Sequence, residues 1–283
     1  MRIFLLPIST RRTLIYCERV HQQLDGKGPS IVDRLVNKAN STWAEWESDK
    51  TGWKKKLTVY GNEYVFSRIP FEEWGLKTLP SSTADIKITE VLYPDMFLQK
   101  DKAPGVLETL AKERQNLHRQ RMWYSVIGLP LTIPVGILPV IPNIPGFYLT
   151  FRAYSHWKAL SGAKFLQALC DKSLVKLTPS KTLNQMYAAG LVHPTREVSR
   201  NARLPTVEEV KGVALALEME KKNPVEDVML LRRWNGKLLA EKFGLPGMEL
   251  EIERAVEQVE KDITQTREMN RRSSKPSQER KHL

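Results

Sequence analysis

The sequence predicts a mainly α-helical, membrane-associated protein with a small α+β part at its N-terminus. Three observations support this prediction. Two short apolar segments open the chain, one long uncharged run lies near its middle, and helical periodicity extends through its C-terminal third. The uncharged run is predicted to form one proline-broken apolar helix or a helical hairpin, followed by a C-terminal helical region.

The composition excludes several protein classes. The chain has 283 residues with 7 Trp, 8 Tyr and 8 Phe, which is too aromatic for a disordered protein. Its two cysteines, Cys17 and Cys170, do not form a disulfide framework of the secreted type. The net charge of +12 suits an acidic partner, such as an anionic membrane surface or a nucleic acid.

Residues 1–103 are predicted to form an α+β region. The segments MRIFLLPIS and RTLIYCERV are typical of short strands, and ADIKITEVLYP alternates well enough to predict a third strand. Helical spacing appears over 29–48 and in GWKKKLTVYGNEYVFSRIP. A further helix is predicted from about Pro104 to Gln120, leading into the uncharged run.

Thirty residues without a formal charge separate Arg121 from Arg152. At about 1.5 Å per residue this run can cross a bilayer once but not twice as a helix. Its prolines remove backbone donors and disfavour an unbroken helix. The pattern predicts a helix over 122–138, a bend over 139–146 and a second helix beginning near Phe147. Three arrangements remain open: a kinked span, a hairpin that dips into the bilayer and returns, or a hairpin buried in protein.

The flanks of the run favour the membrane. Between Lys112 and Lys164 the chain has seven basic residues and one acid, Glu113. Basic and aromatic side chains near membrane ends bind lipid head groups, so an anionic phospholipid membrane is the predicted partner. The predicted membrane segment contains Trp123, Pro130, Pro134, Pro139, Pro142, Asn143, Pro145 and Phe147, and its basic flanks are Arg114, Arg119, Arg121, Arg152, Lys158 and Lys164.

The remaining chain is divided by composition. Residues 104–190 hold the membrane segment and a following helix, 191–270 a highly charged helical region, and 271–283 a disordered basic tail. The C-terminal region is predicted to contain three helices. Thr206 and Glu209 form a capping-box pattern before the first of them. The third carries an apolar stripe that favours packing on neighbouring helices; the stripe is Leu250, Ile252, Val256, Val259 and Ile263.

The sequence offers little catalytic chemistry. It lacks the short phosphate, nucleophile-elbow and zinc motifs, so no catalytic residue, metal ligand or cofactor is predicted, and the protein is not expected to be an enzyme. Nucleic acid is not an expected partner, because the excess charge follows the apolar run. His118 and His156 bracket that run and are predicted to face each other, either as a pH-sensing pair or without a titrating role. Glu72 and Glu73, in PFEEWG, are interpreted as solvated loop charges, with a cation site as the alternative.

Several long phrases resemble one protein family. They are FLLPISTRRTLIYC, GWKKKLTVYGNEYVFSRIPFEEWGLKTLP, LNQMYAAG and the stretch around PVIPNIPGFYLTFRAYSHWKALSG. Over about residues 1–190 the chain resembles the mitochondrial K⁺/H⁺ exchange-related family. The resemblance implies a mitochondrial inner-membrane protein associated with potassium–proton exchange and organelle volume control. It carries over no catalytic residue. The absence of an acid before Glu18 agrees with mitochondrial import.

Two functions are compatible with this pattern. One span or hairpin without ionisable residues cannot enclose an ion pathway by itself, so a protein partner or a homo-oligomer is expected. We therefore expect an accessory or regulatory subunit of potassium–proton exchange at the inner membrane. The alternative is a membrane-tethered interaction or assembly protein that presents its C-terminal helical region to matrix partners.

Overall fold

The computed structural model describes residues 1–18, 52, 69–83, 87–136, 144–193, 195–220 and 227–273. The helix predicted over 29–48, nearly all of GWKKKLTVYGNEYVFSRIP and residues 274–283 of the predicted basic tail lie outside these ranges. Residues 271–273, the start of that predicted tail, belong instead to the last helix. The chain divides into one unit formed by Met1–Glu18 and Phe71–Leu283 and another formed by Arg19–Pro70. All elements given below belong to the first unit, which is mainly helical with a small sheet.

A four-stranded sheet forms the centre of this unit. Strands β1 (Arg2–Pro7) and β2 (Thr13–Glu18) pair antiparallel, as expected for two apolar segments joined by a short turn. Strand β3 (Thr89–Tyr93) pairs parallel with β1, and β4 (Val175–Pro179) pairs parallel with β3, giving the order β2-β1-β3-β4. The three strands predicted from the sequence are confirmed, and β4 is an addition.

Helices cover most of the remaining described residues. In chain order they are α1 (Phe71–Thr78), α2 (Ala103–Lys112), α3 (Gln115–Gly128), α4 (Ile133–Gly136), α5 (Ile144–Asp171), α6 (Lys181–Val192), α7 (Arg196–Asn201), α8 (Val207–Glu220), α9 (Asn235–Phe243) and α10 (Pro246–Ser273). A 3₁₀ turn, Leu129–Thr132, joins α3 to α4.

The uncharged run differs from the single helix predicted over 122–138. Helix α3 ends at Gly128 and gives way to the 3₁₀ turn and the four-residue α4, because Pro130 and Pro134 cannot donate backbone hydrogen bonds. The second helix begins at Ile144 rather than near Phe147 and continues for 28 residues. Among the described residues, no helix has the length and apolar character needed to cross a membrane.

Two apolar layers enclose the sheet, because successive side chains of a strand point to opposite faces. On one face Phe4, Leu6 and Leu14 pack with residues of α6 and of the helices from α8 to α10. On the other face Ile3 and Leu5 pack with α1, α2 and α5. The second layer therefore fixes α5, the long helix of the hairpin, against the sheet.

The C-terminal helices are an integral part of the first apolar layer. Thr206 and Glu209 form the predicted capping box, since each side chain accepts a hydrogen bond from the backbone of the other. Along α10 the stripe from Ile252 to Ile263 is buried, which confirms the predicted packing, whereas Leu250 is 58 % exposed. Leu230 donates its backbone N–H to Ile8, and Ser9 forms an isolated bridge with Met229, so the chain before α9 contacts the end of β1.

Helix α5 passes very close to α1 at Gly162. A Cβ added there would overlap the backbone carbonyl oxygen of Leu76, which cannot rotate away. We expect Gly162→Ala to lower the free energy of unfolding by about 3 kcal/mol, because overpacking at backbone contact forces the helices apart. Denaturant unfolding followed by circular dichroism measures this change.

Gly212→Ala in α8 is the matched control. A Cβ at Gly212 would have no atom within 4 Å, and alanine is the better helix former by about 0.5–1 kcal/mol, so this variant should be at least as stable as the wild type. Equal midpoints for Gly162→Ala and the wild type would contradict the close approach of α5 and α1.

Candidate functional site

A group of polar side chains is buried where α1, α3 and α5 meet. The group consists of Glu73 from α1, His118 from α3, and Arg152, Ser155 and His156 from α5, and we call it the polar cluster. Each of the five residues is more than nine-tenths buried. Buried ionisable groups are uncommon without a partner, so their contacts determine what the cluster can do.

Helical spacing brings three of these side chains to one face of α5. Arg152, Ser155 and His156 stand at positions i, i+3 and i+4, which are neighbours on a helix surface. Glu73 lies in the first turn of α1, on the face that is buried against α5. The segment PFEEWG is therefore a helix and not the predicted loop of solvated charges, and Glu73 is 1 % exposed.

Arg152 and Glu73 form a bidentate ion pair. Arg152 Nη1 donates to Glu73 Oε1 at 2.9 Å, and Nη2 donates to Oε2 at 3.3 Å. The Ser155 hydroxyl also donates to Oε1, and Lys77 Nζ donates to that hydroxyl at 3.0 Å. Burial by itself raises the pKa of Glu73, but the Arg152 charge and the Ser155 hydrogen bond outweigh it, so the pKa is lowered. The carboxyl group is ionised at neutral pH.

The two histidines meet at their Nδ1 atoms, which are 3.1 Å apart. The predicted proximity of the two histidines is thus confirmed, although they meet inside the protein and not at an interface. Burial, with the nearby arginines, lowers the pKa of both imidazoles to about 4 against the opposing effect of Glu73. Both rings are consequently neutral at physiological pH, which does not favour the pH-sensing interpretation.

The hydrogen bonds determine where each imidazole carries its proton. Arg152 Nη2 lies 2.8 Å from His156 Nε2, and a guanidinium can only donate, so His156 accepts there and carries its proton on Nδ1. His118 Nδ1 then accepts from His156, which places the His118 proton on Nε2. That buried Nε2 atom has no hydrogen-bond partner among the described residues.

Lys77 extends the charged group towards α10. Its ammonium lies 3.4 Å from the centre of the Trp74 ring, and the Arg254 guanidinium lies 4.3 Å from the same centre. Burial lowers the pKa of Lys77 to about 8, although Glu73 and Glu251 act in the opposite direction. The polar cluster is therefore surrounded by further charges on α1 and α10.

A second feature is the surface of the hairpin made by α3 and α5. The two helices run antiparallel: His118 meets His156 at one end, and Gly128 lies close to Leu149 at the other. Large apolar side chains at the latter end are between 54 % and 80 % exposed. They are Trp123, Tyr124, Ile127, Leu131, Ile133 and Phe147, which we call the apolar tip.

Three hydroxyl groups near the apolar tip form hydrogen bonds within the hairpin. The hydroxyls of Ser125, Thr132 and Thr150 donate to carbonyl oxygens three or four residues earlier in the chain. An open groove of about 480 Å³ lies between the 3₁₀ turn and the start of α5, with mainly apolar lining that includes Leu129 and Phe147. The surface of this end of the hairpin is accordingly apolar.

The structure describes only some of the residues predicted for the membrane segment. Trp123, Pro130, Pro134, Pro145 and Phe147 are exposed. The other members, Pro139, Pro142 and Asn143, lie outside the described residues.

The predicted basic flanks have different environments. Arg119, Arg121 and Lys164 are exposed, while Arg114 forms an ion pair of 2.9 Å with Glu72. Lys158 donates to the hydroxyl of Ser81. Arg152 is 8 % exposed, and its charge pairs with Glu73 inside the protein instead of facing head groups.

Comparison with known proteins addresses the family directly. The profile of the family described as mitochondrial K⁺-H⁺ exchange-related matches residues 2–170. The chain belongs to this family. The description implies a mitochondrial protein with a relation to potassium–proton exchange. The matched residues include the polar cluster and the whole described hairpin up to Cys170, whereas β4 and the helices from α6 onward follow them.

Two fungal relatives extend the comparison. An uncharacterized protein of Schizosaccharomyces pombe is 29 % identical over 188 residues, which are 65 % of this chain and 82 % of the relative. An uncharacterized protein of Saccharomyces cerevisiae is 26 % identical over 204 residues, which are 61 % of this chain and 63 % of the relative. No solved structure matches this family member.

Proposed function

We propose that this protein is an accessory or regulatory subunit of potassium–proton exchange at the mitochondrial inner membrane, to which it attaches through the apolar tip. The observation that carries this proposal is the exposed apolar tip, which lies within the segment that matches the family. The family description supplies the relation to exchange, and the tip supplies the means of membrane attachment.

The apolar tip is poorly suited to water. Exposed apolar residues are common singly, but a contiguous group of large ones indicates an interaction surface. Transferring a side chain such as Phe147 or Ile127 from water to an apolar environment is favourable by about 1.5–3 kcal/mol. The internally bonded hydroxyls also suit a hydrocarbon surrounding, where polar groups need partners within the protein. A shallow insertion of the hairpin agrees with these features and requires no spanning helix.

Charge next to the tip favours an anionic lipid surface. Arg119 and Arg121 are exposed on α3, before the apolar tip begins. Each basic residue near an anionic surface contributes about 1 kcal/mol to membrane attraction. Trp123 and Tyr124 follow immediately, in the position where interfacial aromatic side chains lie in membrane proteins.

A subunit role fits better than that of a stand-alone exchanger. Secondary transporters bind their ions at ionisable or broken-helix sites near the middle of the membrane, inside bundles of several helices. The segment between Arg121 and Arg152 contains no charged residue, and one hairpin does not enclose a pathway. A protein partner or further copies of the chain would have to complete the exchanger.

Charging the apolar tip should detach the protein from membranes. We expect Ile127→Glu together with Phe147→Glu to weaken binding to phosphatidylcholine–cardiolipin vesicles by about tenfold or more, because two inserted apolar side chains are lost. Both side chains are exposed, so the fold should be unchanged. Vesicle flotation measures the bound fraction.

Leu215→Glu with Met219→Glu is the matched control, because these α8 side chains are 62 % and 68 % exposed and lie outside the hairpin. It should bind vesicles like the wild type. Equal flotation of all three proteins, or equal loss in both variants, would contradict attachment through the tip.

The membrane-tethered interaction protein remains the second proposal. The exposed end of α10, from Thr264 to Arg271, extends past the buried stripe and is the part of the C-terminal region that can be removed with little loss of core. Truncation after Ile263 therefore separates the two proposals. Loss of matrix partners with normal potassium–proton exchange would favour tethering, and normal partners with impaired exchange would favour the subunit role.

A further inference from the structure

We propose that Glu73, His118 and His156 form a binding site for a divalent transition metal ion, Zn²⁺ in the first instance. One ligand atom from each of the three side chains lies within 4.8 Å of the others. Two imidazoles and one carboxylate, with a further position open, are a donor set that zinc and non-haem iron both use. The inference goes beyond the proposed function and does not depend on it.

The distances between ligand atoms suit a shared metal. The Nδ1 atoms of the two histidines are 3.1 Å apart, and His156 Nδ1 is 3.6 Å from Glu73 Oε2. Zinc binds such atoms at about 2.0–2.2 Å, which places neighbouring ligands of a tetrahedral site about 3.3 Å apart. These two separations are therefore close to the spacing that one small cation requires, and ligand atoms of all three side chains lie within 4.8 Å of one another.

The protonation states also suit a metal. Ligands must offer a lone pair, and both imidazoles are neutral while the carboxylate is ionised. Burial keeps competing water away, and three packed helices hold the ligands in place. The sequence does not reveal the set, because its members come from α1, α3 and α5 and match none of the short zinc motifs.

Arg152 acts as a competitor for the site. A metal on Nδ1 of His156 moves that ring's proton to Nε2, where Arg152 Nη2 now donates. Metal binding must therefore displace Nη2, while Nη1 can keep its 2.9 Å contact with Glu73 Oε1. The positive charge of Arg152 also opposes the cation. Removing Arg152 should therefore tighten metal binding. If the three side chains do not bind a metal, the same change should not increase the affinity for zinc.

The test uses the purified full-length chain, stripped with a chelator and then titrated with Zn²⁺. All five histidines are changed singly to glutamine, and bound zinc is measured after removal of the free ion. We expect one zinc per wild-type chain and a loss of tenfold or more in affinity in only two variants, His118→Gln and His156→Gln. The matched controls His21→Gln, His193→Gln and His282→Gln should bind as the wild type does.

Two further measurements keep the proposal testable if a histidine variant fails to fold. The wild type loaded with Co²⁺ should show the d–d absorption of a nitrogen–oxygen site, whereas a thiolate charge-transfer band would assign the metal to a cysteine and overturn the proposal. Arg152→Gln should bind Zn²⁺ more tightly than the wild type and gain a larger zinc-dependent increase in Tm. Absence of stoichiometric zinc, unchanged binding in both ligand variants, or weaker binding in an Arg152→Gln protein that circular dichroism shows to be folded would also overturn it.

Discussion

Replacement of Glu73 by glutamine is expected to lower the free energy of unfolding by about 3–5 kcal/mol. The change leaves the Arg152 charge buried without its counter-charge, and breaking a buried ion pair on one side carries a penalty of that size. The adjacent acid offers a matched control. Glu72 pairs with Arg114 in a more exposed setting, so Glu72→Gln should cost about 1 kcal/mol or less.

Denaturant unfolding at pH 7 in the presence of a chelator measures both changes without a contribution from metal. The double variant Glu73→Gln/Arg152→Met completes the cycle. Because it removes both charges, its destabilisation should be clearly smaller than the sum of the changes in Glu73→Gln and in the single variant Arg152→Met. Additive effects, or a Glu73→Gln variant no less stable than Glu72→Gln, would show that the ion pair does not hold α1 and α5 together.

Truncation after Gly190 is expected to abolish cooperative folding. The deletion removes Leu230, Leu231, Ile252 and Val256, which pack in one layer with strand residues such as Phe4. It also removes Asp227, whose carboxylate accepts hydrogen bonds from Ser9 and Thr10 at the turn after β1. One face of the sheet would then lose the cover of α8, α9 and α10 and keep only that of α6, so much of its apolar surface would be exposed to water.

Thermal and denaturant unfolding followed by circular dichroism test this expectation. The truncated chain should show no cooperative transition and should associate through its exposed sheet face. Truncation after Ser273 is the control and should leave the transition of the full chain unchanged, since it removes a segment without apolar periodicity. A cooperative transition of the shorter chain at the midpoint of the full chain would mean that residues 191–283 are a separable region.

The elements that could be predicted from the sequence have local causes. The apolar runs of β1 and β2, the alternation in β3, the capping box at Thr206 and the stripe on α10 all depend on neighbouring residues, and each is present in the structure. Strand β4 was missed because Val175–Pro179 contains few apolar residues and lies half-exposed at the sheet edge. The predicted helix over 122–138 is longer than α3, since Pro130 and Pro134 lack the backbone donors that would continue a helix beyond Gly128.

Local sequence patterns do not predict the polar cluster. Adjacent acids in PFEEWG resemble solvated loop charges, yet Glu73 is buried because Arg152 meets it from a helix 79 residues later in the chain. Arg152 was predicted to face lipid head groups for the same reason, since its partner is distant in sequence. One signal was available: an arginine and a histidine four residues apart on a long, otherwise apolar helix face.

The apolar tip illustrates the opposite case. Its composition is evident from the sequence, and a hairpin is one of the three arrangements that the sequence leaves open. The structure adds which of these side chains are exposed and which are buried. Trp123, Ile127 and Phe147 are exposed, whereas Ser125 and Thr132 are buried. This division allows attachment and folding to be altered independently.

The most direct test of the account is the swelling of non-respiring mitochondria in potassium acetate, which requires potassium–proton exchange. Mitochondria lacking this protein are complemented with the wild type, with Ile127→Glu/Phe147→Glu, or with the Leu215→Glu/Met219→Glu control. We predict slow swelling with the tip variant, restored by the ionophore nigericin, and normal swelling with the other two. Normal swelling without the protein would contradict a role in exchange, and normal swelling with the tip variant alone would contradict attachment through the hairpin.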